Sequence, residues 1–479
     1  MIPELKAAFN YDSVMDLYSF RKLKGKPVGE SVFNKNVIRF KKGDFGFTID
    51  PLFDFSLGSE KLSGENTWTN TRGILVEGYV GENFAFSTRF YENQALFPGY
   101  IQHYINTRYV VPGQGDARAF GEAVDYSSAS GYISYTPGRH FNFQLGHGKN
   151  FFGDGYRSLM LSDHAIYYPY FRINSSIWRF KYVNMWAQFN QPDNGIDPGM
   201  NTYPVKYGAF HYLSFKGGKN WNLSLFESVI WQAIDSTGYR GFDFNYLNPM
   251  VFYRPVEHTL SSPDNVFMGV NLAISAHEWF NFYTQFVIDE FRFSELKAGN
   301  GWMGNKYAWQ TGFKSFNLFG IPKLFLQGEY NMVRPYMYAH YLTTQSYSHY
   351  YEPLAYSFGA NTFEYLILAK YNFKRLFINA KYNSATFGLD QGSENYGKNF
   401  FLNYRDYANE YGNYIGQGLT TSLQQLDASL SFLVNPATNM NIYVGYTWRE
   451  ESNAVETNTY SWISFGFRTS LRNLYYDFY

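Results

Sequence analysis

The residues best placed to do chemistry sit in one short stretch, Phe151-Phe152-Gly153-Asp154-Gly155-Tyr156-Arg157-Ser158-Leu159-Met160-Leu161-Ser162-Asp163-His164-Ala165. A carboxylate and a guanidinium flanked by aromatic rings suit the binding of sugars: Asp154, Arg157, Ser158 and Asp163 offer hydrogen bonds to hydroxyls, and the rings offer stacking faces. The Gly-Asp-Gly turn admits backbone conformations with positive φ. The same residues read equally as a loop folded into a protein interior, with Arg157 and Asp163 satisfying buried backbone. Asp163-His164 beside a serine also raises a hydrolytic reading, because a histidine oriented by a carboxylate activates a hydroxyl. Adjacent residues on an irregular loop rarely share one partner, and no Gly-x-Ser-x-Gly elbow lies nearby, so the chain is read as a non-enzyme. Asp193-Asn194-Gly195-Ile196-Asp197 has oxygen ligands at calcium-like spacing but lacks the later bidentate Glu; it is read as a turn, with no metal or cofactor expected.

The elements that must carry these residues are strands. Aromatic residues make up 21% of the 479-residue chain, with 45 Tyr and 47 Phe, while charged residues reach only 17%. The mean hydropathy is -0.36, and no uncharged run approaches the roughly 20 apolar residues of a spanning helix. A membrane-spanning barrel reconciles the two facts, since its strands need only about 10 residues each and hide apolar residues at alternate positions. Met440, Ile442, Val444, Tyr446 and Trp448 alternate in this way with Asn441, Tyr443, Gly445 and Thr447. There is no cysteine, and 40 basic residues balance 40 acidic ones, which argues against a nucleic-acid partner.

Strands are predicted over 45–57, 73–80, 83–91, 128–135, 140–147, 175–182, 183–190, 207–215, 220–229, 265–275, 278–289, 305–316, 322–333, 361–372, 374–383, 423–433, 439–448 and 459–468. Their connections alternate between tight turns and long loops, the pattern of a bacterial outer-membrane barrel with turns in the periplasm and loops outside. The fold class is therefore all-β, a transmembrane antiparallel barrel of about eighteen strands, with long extracellular loops plugging or capping the lumen. Both termini are expected in the periplasm. Residues 1–44 read as a separate periplasmic or plug element with helical spacing in its first half, and 45–479 as the barrel. The chain is read as mature, with its signal peptide removed. Leu471 to Tyr479 either prolong the last strand or extend beyond it as a tail. Glu77, Arg89, Glu329 and Lys381 are expected to face the lumen.

The run from Phe152 to Ala165 resembles a segment of the capsule-assembly outer-membrane (Wzi) family, in which an aromatic-Gly-x-Gly turn leads into a Ser-Leu-x-Leu-Ser run. Asn248-Pro249-Met250-Val251-Phe252-Tyr253-Arg254-Pro255-Val256-Glu257, followed by Asp264-Asn265, is similar to a second one. The resemblance implies an eighteen-stranded barrel closed by its loops that binds surface polysaccharide without turning it over. It adds Asn248, Arg254 and Glu257 as ligand-contact candidates, with a loop-scaffold role as the alternative. The Tyr- and Asn-rich character looks closer to the family's gliding-motility branch. Expected surroundings are outer-membrane lipid and lipopolysaccharide, with surface polysaccharide or a cell-envelope complex as partner. A porin-like diffusion channel is the alternative function.

Overall fold

The computed structural model describes residues 27–61, 64–191, 203–235, 238–249, 263–469 and 473–478. Eighteen antiparallel strands form a closed barrel. They are β1 (Phe45–Glu60), β2 (Asn66–Val80), β3 (Phe84–Leu96), β4 (Ala123–Tyr135), β5 (Phe141–Gly148), β6 (Tyr168–Ile177), β7 (Phe180–Asn190), β8 (Val205–Gly217) and β9 (Trp221–Gln232). They continue as β10 (Asn265–His277), β11 (Phe280–Ile288), β12 (Tyr307–Phe316), β13 (Leu324–Val333), β14 (Thr362–Phe373), β15 (Leu376–Leu389), β16 (Leu419–Asn435), β17 (Met440–Ser452) and β18 (Thr457–Arg468). Each pairs with its sequence neighbours, and β18 closes on β1 from Asp54↔Arg468 to Glu60↔Trp462. Closure joins the first strand to the last, and a closed barrel satisfies its backbone groups within the hydrocarbon layer.

Alternation sorts the side chains. On β14, Tyr365 and Ile367 point outward and are exposed, while Glu364 and Leu366 point inward and are buried. Outward apolar residues recur on β3, β15, β16 and β17, as Phe90, Ile378, Leu430 and Val444. Trp178, Trp221, Trp279 and Phe319 stand exposed at the short-turn rim, where an aromatic girdle meets headgroups. This is the surface of a bacterial outer-membrane protein.

The structure departs from the sequence reading in three places. The sixth strand spans 168–177 rather than 175–182, because the β6–β7 turn is Trp178-Arg179 and lacks the usual turn residues; Trp178 itself adopts φ 55°. The β1–β2 and β17–β18 loops shrink to 61–65 and 453–456, since the polar ends of these strands, such as Asn66-Thr67-Trp68-Thr69-Asn70, stay paired above the membrane without an apolar alternation to reveal them. Finally, β18 ends at Arg468 and the chain runs on as a tail: residues 473–478 lie inside the lumen, not in the periplasm, as Asp477 on inward-facing Lys381 shows.

At the seam, the lower half of β1 pairs not with β18 but with an extra strand, Ile38–Lys42, from Ile38↔Ile49 to Lys42↔Phe45. The short helix α1 (Pro27–Phe33) precedes it, and Asn435 at the foot of β16 donates to the Lys35 carbonyl. These residues lie at the short-turn rim. The helix expected further upstream and the 193–197 turn lie outside the described residues.

Candidate functional site

The loop between β5 and β6 turns into the lumen and closes on itself, with the Phe152 N–H donating to the Leu161 carbonyl. Both glycines of its motif are needed for close approach to the wall. A Cβ on Gly153, at φ 135°, would stand 1.8 Å from the Gln285 amide nitrogen, and one on Gly155 2.6 Å from both Gln310 and Glu329 oxygens. The inward polar residues of β11 to β13 hydrogen-bond this loop's backbone. Glu329 accepts from the Tyr156 and Arg157 N–H groups at 2.7 and 3.1 Å, Gln285 accepts from the Leu159 N–H, and Gln310 donates to the Arg157 carbonyl.

Arg157 lies at the centre, 2% exposed. It donates to both oxygens of Glu364 on β14, at 2.8 and 3.2 Å, and to the side chain and carbonyl of Asp477, at 3.1 and 2.7 Å. Asp477 also pairs with Lys381 of β15 at 2.8 Å and accepts from the Tyr156 hydroxyl. Burial opposes the Asp477 charge, yet Arg157 and Lys381 hold its carboxyl down at about 2. The Asp477 carboxylate thus bridges the tail to both the plug loop and the wall. Phe478 packs edge-on against Tyr104 of the helix α2 (Gly99–Arg108) and against His164.

The other candidates fall around this lattice. Ser158 is fully buried; its Oγ donates to the Phe152 carbonyl and accepts from the Met160 and Leu161 N–H groups. Asp163 accepts from Tyr475 and Asn473 of the tail, and half-buried Asp154 accepts from Asn271. Arg157 and Ser158 therefore hold the plug, and neither has surface to offer a ligand in this conformation. Asn248 is exposed on the loop after β9, away from the lumen. Arg254 and Glu257 lie outside the described residues. Of the charges expected in the lumen, Glu329 and Lys381 are placed there by these bonds, and Arg89 shares the face of buried Ser87 and Tyr91.

The Asp163-His164 pair has no hydrolytic geometry. Asp163 turns to the tail, while His164 faces Glu352 at 4.0 Å, and burial together with Lys149 and Arg157 lowers its pKa to about 3. Glu352 accepts from the Gly113 and Ile166 N–H groups, joining two loops, and burial pushes its carboxyl up to about 7. A carboxyl raised in the folded state contributes stability that is complete below its ordinary value near 4.5 and is lost as pH rises through about 7. Protection of the Gly113 and Ile166 amides, corrected for intrinsic exchange, is accordingly higher at pH 5 than at pH 8, and Glu352→Gln removes the difference. Protection unaffected by pH in the unaltered protein would contradict this.

A second loop layer, from 334 to 361, seals the first. The Tyr338 and Tyr347 hydroxyls donate to the Leu159 and Met160 carbonyls. As a result the inward side chains of Asn271, Gln285, Gln310, Asn331 and Glu364 have 0% accessible surface. The extracellular face then presents a tract of rings and guanidinium groups. Tyr203 meets Tyr350 edge-on at 5.1 Å; Tyr109 lies 6.3 Å from Tyr351, which is backed at 6.1 Å by the buried ring of Phe401. Arg108 donates to the Tyr351 carbonyl, and Arg405 covers the Tyr341 ring at 3.9 Å. Tyr109 and Tyr350 are held at φ 58° and 50°, a left-handed conformation costly for a side chain of this size and common at binding sites. Sequence reasoning missed this tract because its rings come from separate loops.

Neither the family models nor the curated proteins match this chain. Among solved structures it is similar to Wzi of Escherichia coli, a carbohydrate-binding outer-membrane barrel involved in group 1 capsule assembly, at 12% identity over 88% of this chain and 85% of that one, with a TM-score of 0.53. OprD of Pseudomonas aeruginosa matches at 11% identity, 89% and 96% coverage and a TM-score of 0.45, and opdK of the same organism at 9%, 89% and 98%, and 0.47. At this identity the Wzi likeness shows the barrel fold; it supports an outer-membrane barrel broadly and not the gliding-associated branch.

Proposed function

We propose that the protein is a non-catalytic outer-membrane barrel that associates with surface polysaccharide through its extracellular aromatic tract. The observation that carries this reading is the tract itself, where exposed and half-exposed tyrosines lie beside Arg108 and Arg405 over a sealed lumen. Rings stack on the apolar faces of sugars, and guanidinium groups donate to hydroxyls and uronate carboxylates. The carbohydrate-binding character of Wzi, on the same fold, agrees with it. The buried inward side chains speak against a diffusion channel in this conformation, because a water-filled lumen would leave them wet. Asp154, Asp163 and Asn248 then lie outside the binding surface proper, the first two as supports of the plug beneath it.

The test is retention on immobilised capsular or lipopolysaccharide glycans from the native surface. Tyr109→Ala combined with Tyr351→Ala removes two rings at about 1 kcal/mol each, so affinity for the glycan falls about thirtyfold while heat-modifiable mobility of the barrel is unchanged. Equal retention by the double variant, or none by the unaltered protein, contradicts the proposal.

A further inference from the structure

Three consecutive hairpins at the short-turn rim concentrate positive charge. The β4–β5 turn supplies Arg139 and His140, the β6–β7 hairpin Arg179 and Lys181, and the β8–β9 hairpin Lys216 and Lys219. No acidic residue occurs in 136–146, 174–184 or 212–224, although the 40 basic and 40 acidic residues of the chain balance overall. Other turns of the rim lack this one-sidedness: Glu82 sits between β2 and β3, Glu278 between β10 and β11, and 436–439 between β16 and β17 is uncharged. Lys181 and Lys216 alternate onto the lumen face, whereas Arg139, Arg179 and Lys219 stand exposed at the turn tips.

The three turns are tied to one another. The Ser176 N–H donates to the His140 carbonyl at 2.7 Å and the Lys216 N–H to the Arg179 carbonyl at 2.9 Å. The His140 ring donates from Nδ1 to the Ser176 carbonyl and accepts at Nε2 from Arg139, at 2.9 and 3.1 Å, which steadies that guanidinium. Beside these cations the outward face carries a ledge of rings. Phe180 and Phe215 are 4.9 Å apart, Trp178 lies 5.9 and 6.1 Å from them, and Trp221 lies 5.7 Å from Phe215. The Trp221 ring covers Gly217, where a Cβ would stand 1.9 Å from it, and the Arg179 guanidinium lies 5.2 Å from the Trp178 ring. Trp178 is 78% exposed and held at φ 55°, in a hairpin position that normally goes to glycine or asparagine. So open a ring gains little from its own chain, and backbone strain of this kind collects at ligand clamps.

We infer that this patch is a binding site for an anionic phospholipid of the periplasmic leaflet, its phosphate drawn to Arg139, Arg179 and Lys219 and its acyl chains lying along the ring ledge. The place of the rings selects the occupant. Aromatic side chains at this rim sit at headgroup level, so lipid is the neighbour the ledge necessarily meets. Guanidinium and ammonium groups gathered at that depth, with no carboxylate among them, favour a lipid that carries net negative charge. A soluble phosphate would use the cations and leave the ledge bare; an acidic protein would have to displace lipid from the rings. The site lies at the opposite rim from the aromatic tract and does not depend on glycan binding.

The purified full chain is exchanged into micelles holding equal amounts of phosphatidylglycerol and phosphatidylcholine, and the lipid retained per barrel is read by native mass spectrometry. Phosphatidylglycerol is retained over phosphatidylcholine by a ratio on the order of tenfold, and the ratio falls to near one when Arg139→Gln, Arg179→Gln and Lys219→Gln are combined. Lys323→Gln with Lys374→Gln, on other turns of the rim, leaves the ratio unchanged. Trp178→Gly relieves the positive φ, so the heat-modifiable band survives to the same or a higher temperature while less lipid is retained. Glycerol 3-phosphate, which lacks acyl chains, does not displace the lipid. Equal retention of the two lipids by the unaltered protein would overturn the inference. So would the same loss in the Lys323 and Lys374 variant, a Trp178→Gly barrel that loses heat stability along with lipid, displacement by glycerol 3-phosphate, or an acidic protein that co-purifies in place of lipid and is lost with the three cations.

Discussion

Removing residues 473–479 turns a silent barrel into a conducting one. The tail contributes Asp477, which faces Arg157 and Lys381, together with Tyr475 on Asp163 and Phe478 beneath α2. Without it Lys381 keeps Asp427 at 3.1 Å, and Arg157 keeps only Glu364. Breaking a buried ion pair by deleting one partner costs about 3–5 kcal/mol, comparable to what holds a loop in place. The wall, whose backbone bonds close on themselves, does not depend on the tail. Planar-bilayer recording checks the outcome: the truncated protein shows stable openings while its heat-modifiable band persists. Silence with an intact band would mean that the loops seal the lumen unaided.

Arg157→Ala is the second large effect. It leaves Glu364 buried with no cation, and Asp477 with Lys381 alone, at a cost of about 3–5 kcal/mol localised to the plug. Hydrogen exchange of the amides from 156 to 161 should rise by about two to four orders of magnitude, which is what that cost converts to. Arg157→Lys is intermediate, since an ammonium keeps the charge but loses the bidentate fork on Glu364. Asp154→Ala changes little, about 1 kcal/mol, because its carboxylate is half-exposed and bonded to Asn271. If Arg157→Ala and Asp154→Ala loosened the plug equally, the central place given to Arg157 would be wrong.

Much of this architecture is legible in the residues. Period-two alternation and the contrast of tight turns with long loops locate seventeen of the eighteen strands and set the sixth across the turn that follows it, because a wall with one face in lipid imposes that pattern on its strands. The turn at Trp178 escapes notice since its positive φ is borne by a residue that rarely adopts it. The motif from Phe152 to Ser162 marks a place of close approach, yet its glycines make room for Gln285, Gln310 and Glu329 of the wall rather than for a ligand, and spacing alone does not separate the two cases. Glu364 and Asp477, the partners of Arg157, lie more than two hundred residues along the chain from it. A lone acid on the buried face of β14 and another in an aromatic tail become meaningful only once the barrel closes around them.

The lumen, on this reading, is filled by the protein's own loops and tail. Single-channel recording of the unaltered protein in planar bilayers tests that filling most directly. A lumen so packed gives an unbroken baseline at moderate voltage; stable, large openings from correctly inserted barrels would contradict it.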